Sequence, residues 1–419
     1  MVMATGSTLP EDGRHAPAVS RSRLVRGLIL AVAGLATLWF TFATTLSGVK
    51  WREHPDLALI FQSFDARALG GMAQRALAVP GQPDAETARR EAQRALARDP
   101  TAIDAVTTLG VIAALHNDLA LAERTFRYAE YLSRRNPQTH MWLIERQVQR
   151  NDIDGALAQY DTALRTSTAL RAQLFPILMS AMSDRNIAVS LHRLLLTRPN
   201  WYPEFTAKLA AESRDPVAMA TVTQGLLDPH REDHRQWLGA MLPRLAEMHR
   251  IDLAWQAYET LPGMGSAAGM PLRDGNFSVE TPLPPFDWVY AGGNLAPERR
   301  VLGGASTEGF ALYLPDSPQA GEVAHQALRL AAGAHLFAAT AGSVSGDPRQ
   351  RPYVEIHCTD QQAPLMRQTL PGASAEGAAM QASFTVPAGC PYQWISIGVQ
   401  ARAGEERSAT AWLARLSIR

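Results

Sequence analysis

Between Gly27 and Val49 the chain carries no charged residue. As a helix rising about 1.5 Å per residue, such a run reaches roughly 34 Å, enough to cross a hydrocarbon layer of about 30 Å. An amphipathic period, which a buried core helix would show, is missing. Arg14, Arg21, Arg23 and Arg26 precede the run, whereas Lys50 and Arg52 follow it beside Glu53 and Asp56. That asymmetry favours an N-terminus in the cytoplasm. The competing reading is a cleaved secretory signal, whose apolar core is usually about 7–15 residues after a short basic preface. Both the run and its preface are longer here, so an uncleaved anchor is expected. The expectation is a cytoplasmic tail over 1–26, a transmembrane helix over 27–49, and the remainder outside.

A chain of 419 residues exceeds one ordinary core, so two soluble domains are expected beyond the anchor. Formal net charge is +0, with no basic block outside the N-terminal arginines. Phosphate backbones require concentrated positive charge, so nucleic acid is excluded as a partner. Lysine occurs only as Lys50 and Lys208 against many arginines, a bias typical of GC-rich bacterial genomes. Outside a bacterial inner membrane, in the periplasm, the two cysteines Cys358 and Cys390 are free to oxidise. They form either one bridge or two separate buried thiols.

Beyond the anchor, Ala, Leu and Arg recur at helical spacing and the pattern repeats. Asn117-Asp118 leads into Ala122, Phe126 and Ala129, and Asn151-Asp152 into Ala156, Tyr160 and Ala163, each position displaced by 34 residues. One step back stand Ala88, Ala92 and Ala95. Small residues let two antiparallel helices approach closely, and a ring between them fills the gap to the next hairpin. Leu109-Gly110 sits in the preceding helix, and Asp99-Pro100 and Asn136-Pro137 punctuate the repeat ends.

This spacing resembles the tetratricopeptide repeat over residues 85–166, with Leu143-Ile144 standing where Leu-Gly is expected and Pro137 a few positions late. Further on, RNIAVSLHRLLLTRP, DPVAMATVTQGLLDP and HRIDLAWQAYETLPG each predict a helix closed by Pro or Gly. About six hairpins over 57–262 would stack into a right-handed solenoid. The resemblance implies a groove that holds a protein segment.

A glycine-rich break over 263–275 has the wrong spacing for a nucleotide loop. Then the period changes to two. Val354, Ile356 and Cys358 alternate with Tyr353, Glu355 and His357, and Ile395, Ile397 and Val399 with Trp394 and Ser396. In the last run Trp412, Ala414, Leu416 and Ile418 alternate with Leu413, Arg415, Ser417 and Arg419. Alternation between Pro- and Gly-rich turns predicts an antiparallel β-sandwich of about eight strands over 276–419. NFSVETPLPPFDW, QALRLAAGAHLF and the closing strand resemble a carbohydrate-binding-type jelly roll, in which the first and last strands share a sheet. The resemblance implies an envelope protein of the kind found beside bacterial exopolysaccharide and capsule machinery. Cys358 ends one strand and Cys390 opens another, so a bridge would tie neighbouring strands.

Sugar sites pair an exposed ring with an acid or amide. Asp287, Trp288 and Tyr290 form one such candidate set, the alternative being that Trp288 closes the end of the core. Tyr392 and Trp394 share one strand face and form a second candidate platform, or else core and rim. His230, Glu232 and His234 place two imidazoles four residues apart, which on a helix would share one face and could hold a metal with a third ligand; the order matches no zinc-peptidase signature, so a solvated helix start is expected and no metal. His116, His140 and His192 are expected as surface or interhelix polar contacts, and the acid pairs Asp152/Asp154 and Glu130/Glu145 on solvated helix faces. No cofactor motif, serine elbow or Walker loop is present.

The expected whole is a multidomain, non-enzymatic scaffold: single transmembrane helix, α-helical solenoid, antiparallel sandwich. The solenoid would bind a protein and the sandwich a polysaccharide. One alternative is a glycan-cleaving enzyme whose carboxylates, Asp287 with Glu308 or Glu355, converge in a cleft. Another is a structural assembly factor whose sandwich docks protein.

Overall fold

The computed structural model describes residues 53–78, 83–264, 271–302, 309–361, 363–401 and 410–419, with isolated helical positions between 35 and 49. The expected tail over 1–26, most of the expected anchor, the centre of the glycine-rich break and Glu308 lie outside the described residues. Among the described residues no helix is long and apolar enough to cross a membrane. The chain divides into two compact units, Met1–Arg150 and Asn151–Arg419.

The first unit holds α1 (Pro55–Phe61), α2 (Ala66–Leu77), α3 (Ala85–Arg98), α4 (Ile103–Leu115), α5 (Leu119–Leu132) and α6 (Pro137–Gln149). The 34-residue spacing has a physical origin in the helix ends. Asp84 and Asp118 are N-caps whose carboxylates accept the Thr87 and Leu121 backbone N–H groups. In the second unit, Asp152 caps α7 (Ile153–Thr166) in the same way, accepting from Gly155. Asn117 and Asn151 adopt φ of 60° and 56°, a left-handed turn that Asn tolerates, just before two of these caps. Each Asn-Asp pair therefore both stops one helix and starts the next.

Ala88, Ala92, Ala95, Ala122, Phe126, Ala129 and Ala163 are fully buried, and Ala156 and Tyr160 nearly so. Phe126 stacks on Trp142 with ring centroids 4.6 Å apart. Gly110 faces the same ring: a Cβ there would meet Phe126 Cε2 at 2.9 Å. Leu109 is partly buried beside the cluster of Ala92, Ala95 and Ala105. Leu143 and Ile144 are buried at the departure from Leu-Gly. Pro137 does not end a repeat; it occupies the first turn of α6 behind the Asn136 cap, where its missing N–H costs nothing.

The second unit continues through α8 (Arg171–Ala181), α9 (Arg185–Leu196), α10 (Tyr202–Glu212), α11 (Pro216–Thr223), α12 (Glu232–Glu247) and α13 (Ile251–Glu259) before the chain enters ten strands among the described residues. One sheet runs β1 (Val289–Tyr290), β4 (Gly321–Leu328), β9 (Gln393–Val399), β6 (Tyr353–Cys358), β7 (Pro364–Thr369). The other runs β2 (Glu298–Val301), β3 (Phe310–Tyr313), β10 (Trp412–Ile418), β5 (Gly333–Gly342), β8 (Ala378–Val386). All pairs are antiparallel, and Val323, Val354, Ile395, Leu312, Phe337 and Leu413 fill the core between the sheets.

Two strand expectations need correction. NFSVETPLPPFDW is no strand; it is a run of turns, and contact with the last strand comes from Gly275, whose carbonyl accepts the Leu416 N–H at 2.9 Å. A Cβ at Gly275 would sit 1.9 Å from Leu416 O, so only glycine fits. In β10 the alternation breaks. A register shift between Ala414 and Ser417, with Arg415 at φ 54°, inserts an odd residue. Leu413, Leu416 and Ile418 all reach the main core, while Trp412 and Ala414 pack with Ala311 in a separate cluster. A bulge reverses facing beyond it, which strict period-two counting misses.

Cys358 and Cys390 are bridged, with Cα atoms 5.6 Å apart, and tie β6 to the approach of its neighbour β9. Closing a loop of this size stabilises the fold by about 3–4 kcal/mol in the chain-entropy picture. Reduction, or Cys358→Ala with Cys390→Ala, should lower the denaturation midpoint of the second unit accordingly. A midpoint that dithiothreitol leaves unmoved would refute this.

Candidate functional site

Helix α13 is fastened to the sandwich by an aromatic and ionic joint. Trp255 meets Phe286 edge-on at 4.8 Å, Tyr258 meets the same ring at 4.6 Å, and Glu259 pairs with Arg329 at 2.6 Å. Gln326 on β4 pins Arg273, accepting its backbone N–H and donating to its carbonyl. The Arg273 guanidinium lies 5.2 Å above the Tyr258 ring and 2.9 Å from Asp287.

This joint absorbs most of the first candidate set. Asp287 is 2% exposed; beyond Arg273, its carboxylate accepts the Leu283 N–H at 2.8 Å. Burial pushes its carboxyl above the usual range. Trp288 is also 2% exposed and its indole N–H donates to the Asp274 carbonyl, so of the two readings it takes the core one. Tyr290, on the edge strand β1, packs partly buried against the core, and burial pushes its phenol up to about 12. Tyr392 lies beside Trp255 at 6.3 Å, with its phenol raised by burial.

Trp394 is placed differently. Because Ile395, Ile397 and Val399 point into the core, Trp394 lies on the outward face of β9, the central strand of its sheet. Its cross-strand neighbours are Ala327 on β4 and His357 on β6. His325 meets it edge-on at 5.4 Å. One row along, Ser396, Glu355 and Arg367 lie side by side, and Arg367 pairs with Glu355 at 2.6 Å. Arg367 also covers the Tyr353 ring at 3.7 Å, and that ring crosses the bare backbone of Gly398. Both faces of Tyr353 are therefore occupied, whereas Trp394 borders open space.

That space is a cleft of about 530 Å³ lined by Trp394, Glu355, His357, Thr359, Asp360, Gln361 and His249. His249 comes from the left-handed turn joining α12 to α13, with φ 58°. The helical side thus supplies one wall of a site whose floor is the sheet. His357 Nδ1 is buried there with no hydrogen-bond partner among the described residues. An indole edge beside carboxylate, amide, hydroxyl and imidazole groups offers an apolar surface next to both donors and acceptors.

Asp287 and Glu355 do not converge. Asp287 is in the joint beside β1, and β4 and β9 lie between β1 and the strand carrying Glu355. His230 and His234 form no ligand pair either. His230 precedes α12, and His234, expected on a solvated helix start, is instead fully buried in the first turn of α12, its Nδ1 accepting the Asp228 N–H at 3.0 Å. Burial holds this imidazole below its ordinary pKa. Among the described residues no cluster of three metal-ligating side chains occurs. His116, His140 and His192 contact the carbonyls of Ile112, Arg134 and Val222.

No family model matches the chain, and no curated protein does. Solved structures similar to part of this chain include a module described as "CBM4 structure and function", at 15% identity and TM-score 0.23, covering 32% of this chain and 88% of that one. The carbohydrate-binding module CBM6cm-2 from Cellvibrio mixtus lichenase 5A matches at 11% identity and TM-score 0.21, over 32% of this chain and 95% of that one. The enzymatically active domain of bacteriophage CBA120 tailspike protein 4 matches at 13% identity and TM-score 0.26, covering 36% and 21%. Scores this low fix neither topology nor ligand.

Proposed function

We propose that the chain is a membrane-anchored, non-enzymatic envelope protein, with tetratricopeptide-like hairpins that dock a protein and a sandwich that binds glycan. The observation carrying the glycan reading is Trp394 at the mouth of a cleft otherwise lined by polar side chains. A sugar ring presents a C–H face to an aromatic ring and hydroxyls to acids, amides and imidazoles around it, and this cleft supplies both kinds of surface.

The anchor is supported by the helical positions described in the uncharged run. Leu35, Leu38, Trp39, Phe40 and Phe42 are 54–69% exposed, a costly arrangement in water and an ordinary one in lipid. The hydroxyls of Thr41, Thr44 and Thr45 donate to carbonyls one turn back at 2.8–2.9 Å, which satisfies them without solvent. The setting is the periplasmic side of a bacterial inner membrane, in assembly or export of a surface polysaccharide.

The test is binding of a panel of neutral and acidic oligosaccharides to the full chain in detergent micelles. Trp394→Ala should weaken the tightest binder at least tenfold while leaving the unfolding midpoint of the second unit in place. Equal binding by wild type and variant, or no binding by either, would remove the reading. The glycan-cleaving alternative keeps one observation in its favour, since Glu355 and Asp360 both line the cleft. Release of reducing ends by wild type, lost in Glu355→Gln, would decide for it.

A further inference from the structure

The first unit carries a second recessed surface, which the glycan reading leaves unused. A groove of about 540 Å³ opens between α3 and α5, with α4 as its floor. Leu96, Leu109, Leu121 and Tyr128 give it an apolar lining, and Arg89 and Arg124 are its charged members. Leu121 and Tyr128 are 42% and 44% exposed, so water now covers part of an apolar surface. Among the described residues no carboxylate lines the groove. Of the acids on these helices, Glu91 pairs with Arg94 at 2.9 Å, Glu130 with Arg127 at 3.2 Å and Glu123 with Arg150, Asp104 accepts from Gln74 at 3.3 Å, and Glu86 is exposed in the first turn of α3. Arg89 Nε is buried and has no hydrogen-bond partner among the described residues. A buried guanidinium nitrogen without an acceptor is costly, and a carboxylate would relieve the cost.

We infer that this groove binds an acidic, leucine-bearing segment of a partner protein, with apolar side chains on Leu109 and Tyr128 and a carboxylate on Arg89 and Arg124. Charge selects the occupant. A neutral apolar segment leaves Arg89 Nε unpaired, and a basic one adds repulsion. The inference rests on the reading of the hairpins as a protein-docking unit, and it names both the surface and the chemistry of what docks.

The probe is a fluorescein-labelled helical peptide with a leucine stripe and glutamates elsewhere. Comparison peptides replace the glutamates by lysines, or the leucines by serines. Fluorescence anisotropy is read on the full chain in detergent micelles. The glutamate–leucine peptide should bind saturably, and the other two at least tenfold more weakly. Arg89→Glu with Arg124→Glu should weaken it at least tenfold and transfer the preference to the lysine–leucine peptide, a gain that misfolding does not produce. Tyr128→Ser, at an exposed position, should weaken the glutamate–leucine peptide with the unfolding midpoint unchanged. Absence of binding, equal binding of acidic and basic peptides, or failure of the preference to transfer would overturn the inference. So would displacement of the peptide by phosphatidylglycerol vesicles, or self-association of the chain that the double reversal abolishes. Oligosaccharide binding on the same samples is unaffected by any of these outcomes, and crosslinking of a protein to the hairpins away from Tyr128 would spare the docking reading alone.

Discussion

Arg273→Met should destabilise the second unit by about 3–5 kcal/mol at neutral pH, the usual cost of leaving one member of a buried ion pair alone. Asp287 has a side chain only 3% exposed, and Arg273 is its cationic partner at 2.9 Å. The sign with pH follows from the raised carboxyl of Asp287. Between the unfolded value of about 3.9 and the higher folded one, the native state holds more protons than the unfolded state. Stability contributed by this group is therefore present at acid pH and lost as pH rises through the folded value. Removing Arg273 raises that value further, so the variant should lose least in acid and most at neutral pH. Adding Asp287→Leu should recover much of the loss by removing the stranded charge. Urea titrations of the wild type, the single variant and the double variant at two pH values check this. A single-variant loss under about 1 kcal/mol, or a loss that grows toward acid, would contradict it.

Phe126→Ala should cost the first unit about 3–5 kcal/mol, as for other fully buried phenylalanines. The ring is completely buried, stacks on Trp142 and closes over Gly110. Truncation leaves Trp142 without its stacking partner and opens a void beside a residue that has no side chain to fill it. Thermal unfolding, followed by tryptophan fluorescence, should show the loss in the first unit's transition and leave that of the second unit in place. A small shift would mean that the hairpins slide together to close the void, and that the ring is not the spacer proposed for it.

The hairpins were legible because their signals are local. Asn117-Asp118 and Asn151-Asp152 encode a left-handed residue followed by a cap, and Ala122-Phe126-Ala129 encodes a close helix crossing; none of this needs distant partners. Alternation alone likewise places Tyr353, Glu355 and His357 on one face. What that face is for was not legible. His249, Trp394 and Asp360 meet only through the fold, and a lone histidine after a helix gives no sign of lining a cleft. Trp288 shows the limit for aromatics: the same indole serves a core or a sugar, and the choice turned on whether Asp274 offered it a carbonyl. In β10 the extra residue at the bulge left no mark in composition, since Arg415 is an ordinary strand-surface residue by type.

The joint at Trp255, Tyr258 and Phe286 bears on where this chain tolerates being cut. A fragment trimmed at the glycine-rich break would look natural on paper. It would strip the aromatic partners from Phe286 and Tyr392, leave Arg329 without Glu259, and discard the histidine wall of the cleft. Excision at the break would thus yield a sticky sandwich with a half-walled cleft, and a negative binding result from it would say nothing about the intact protein. The smallest faithful fragment has to keep the turn at His249 and all of α13.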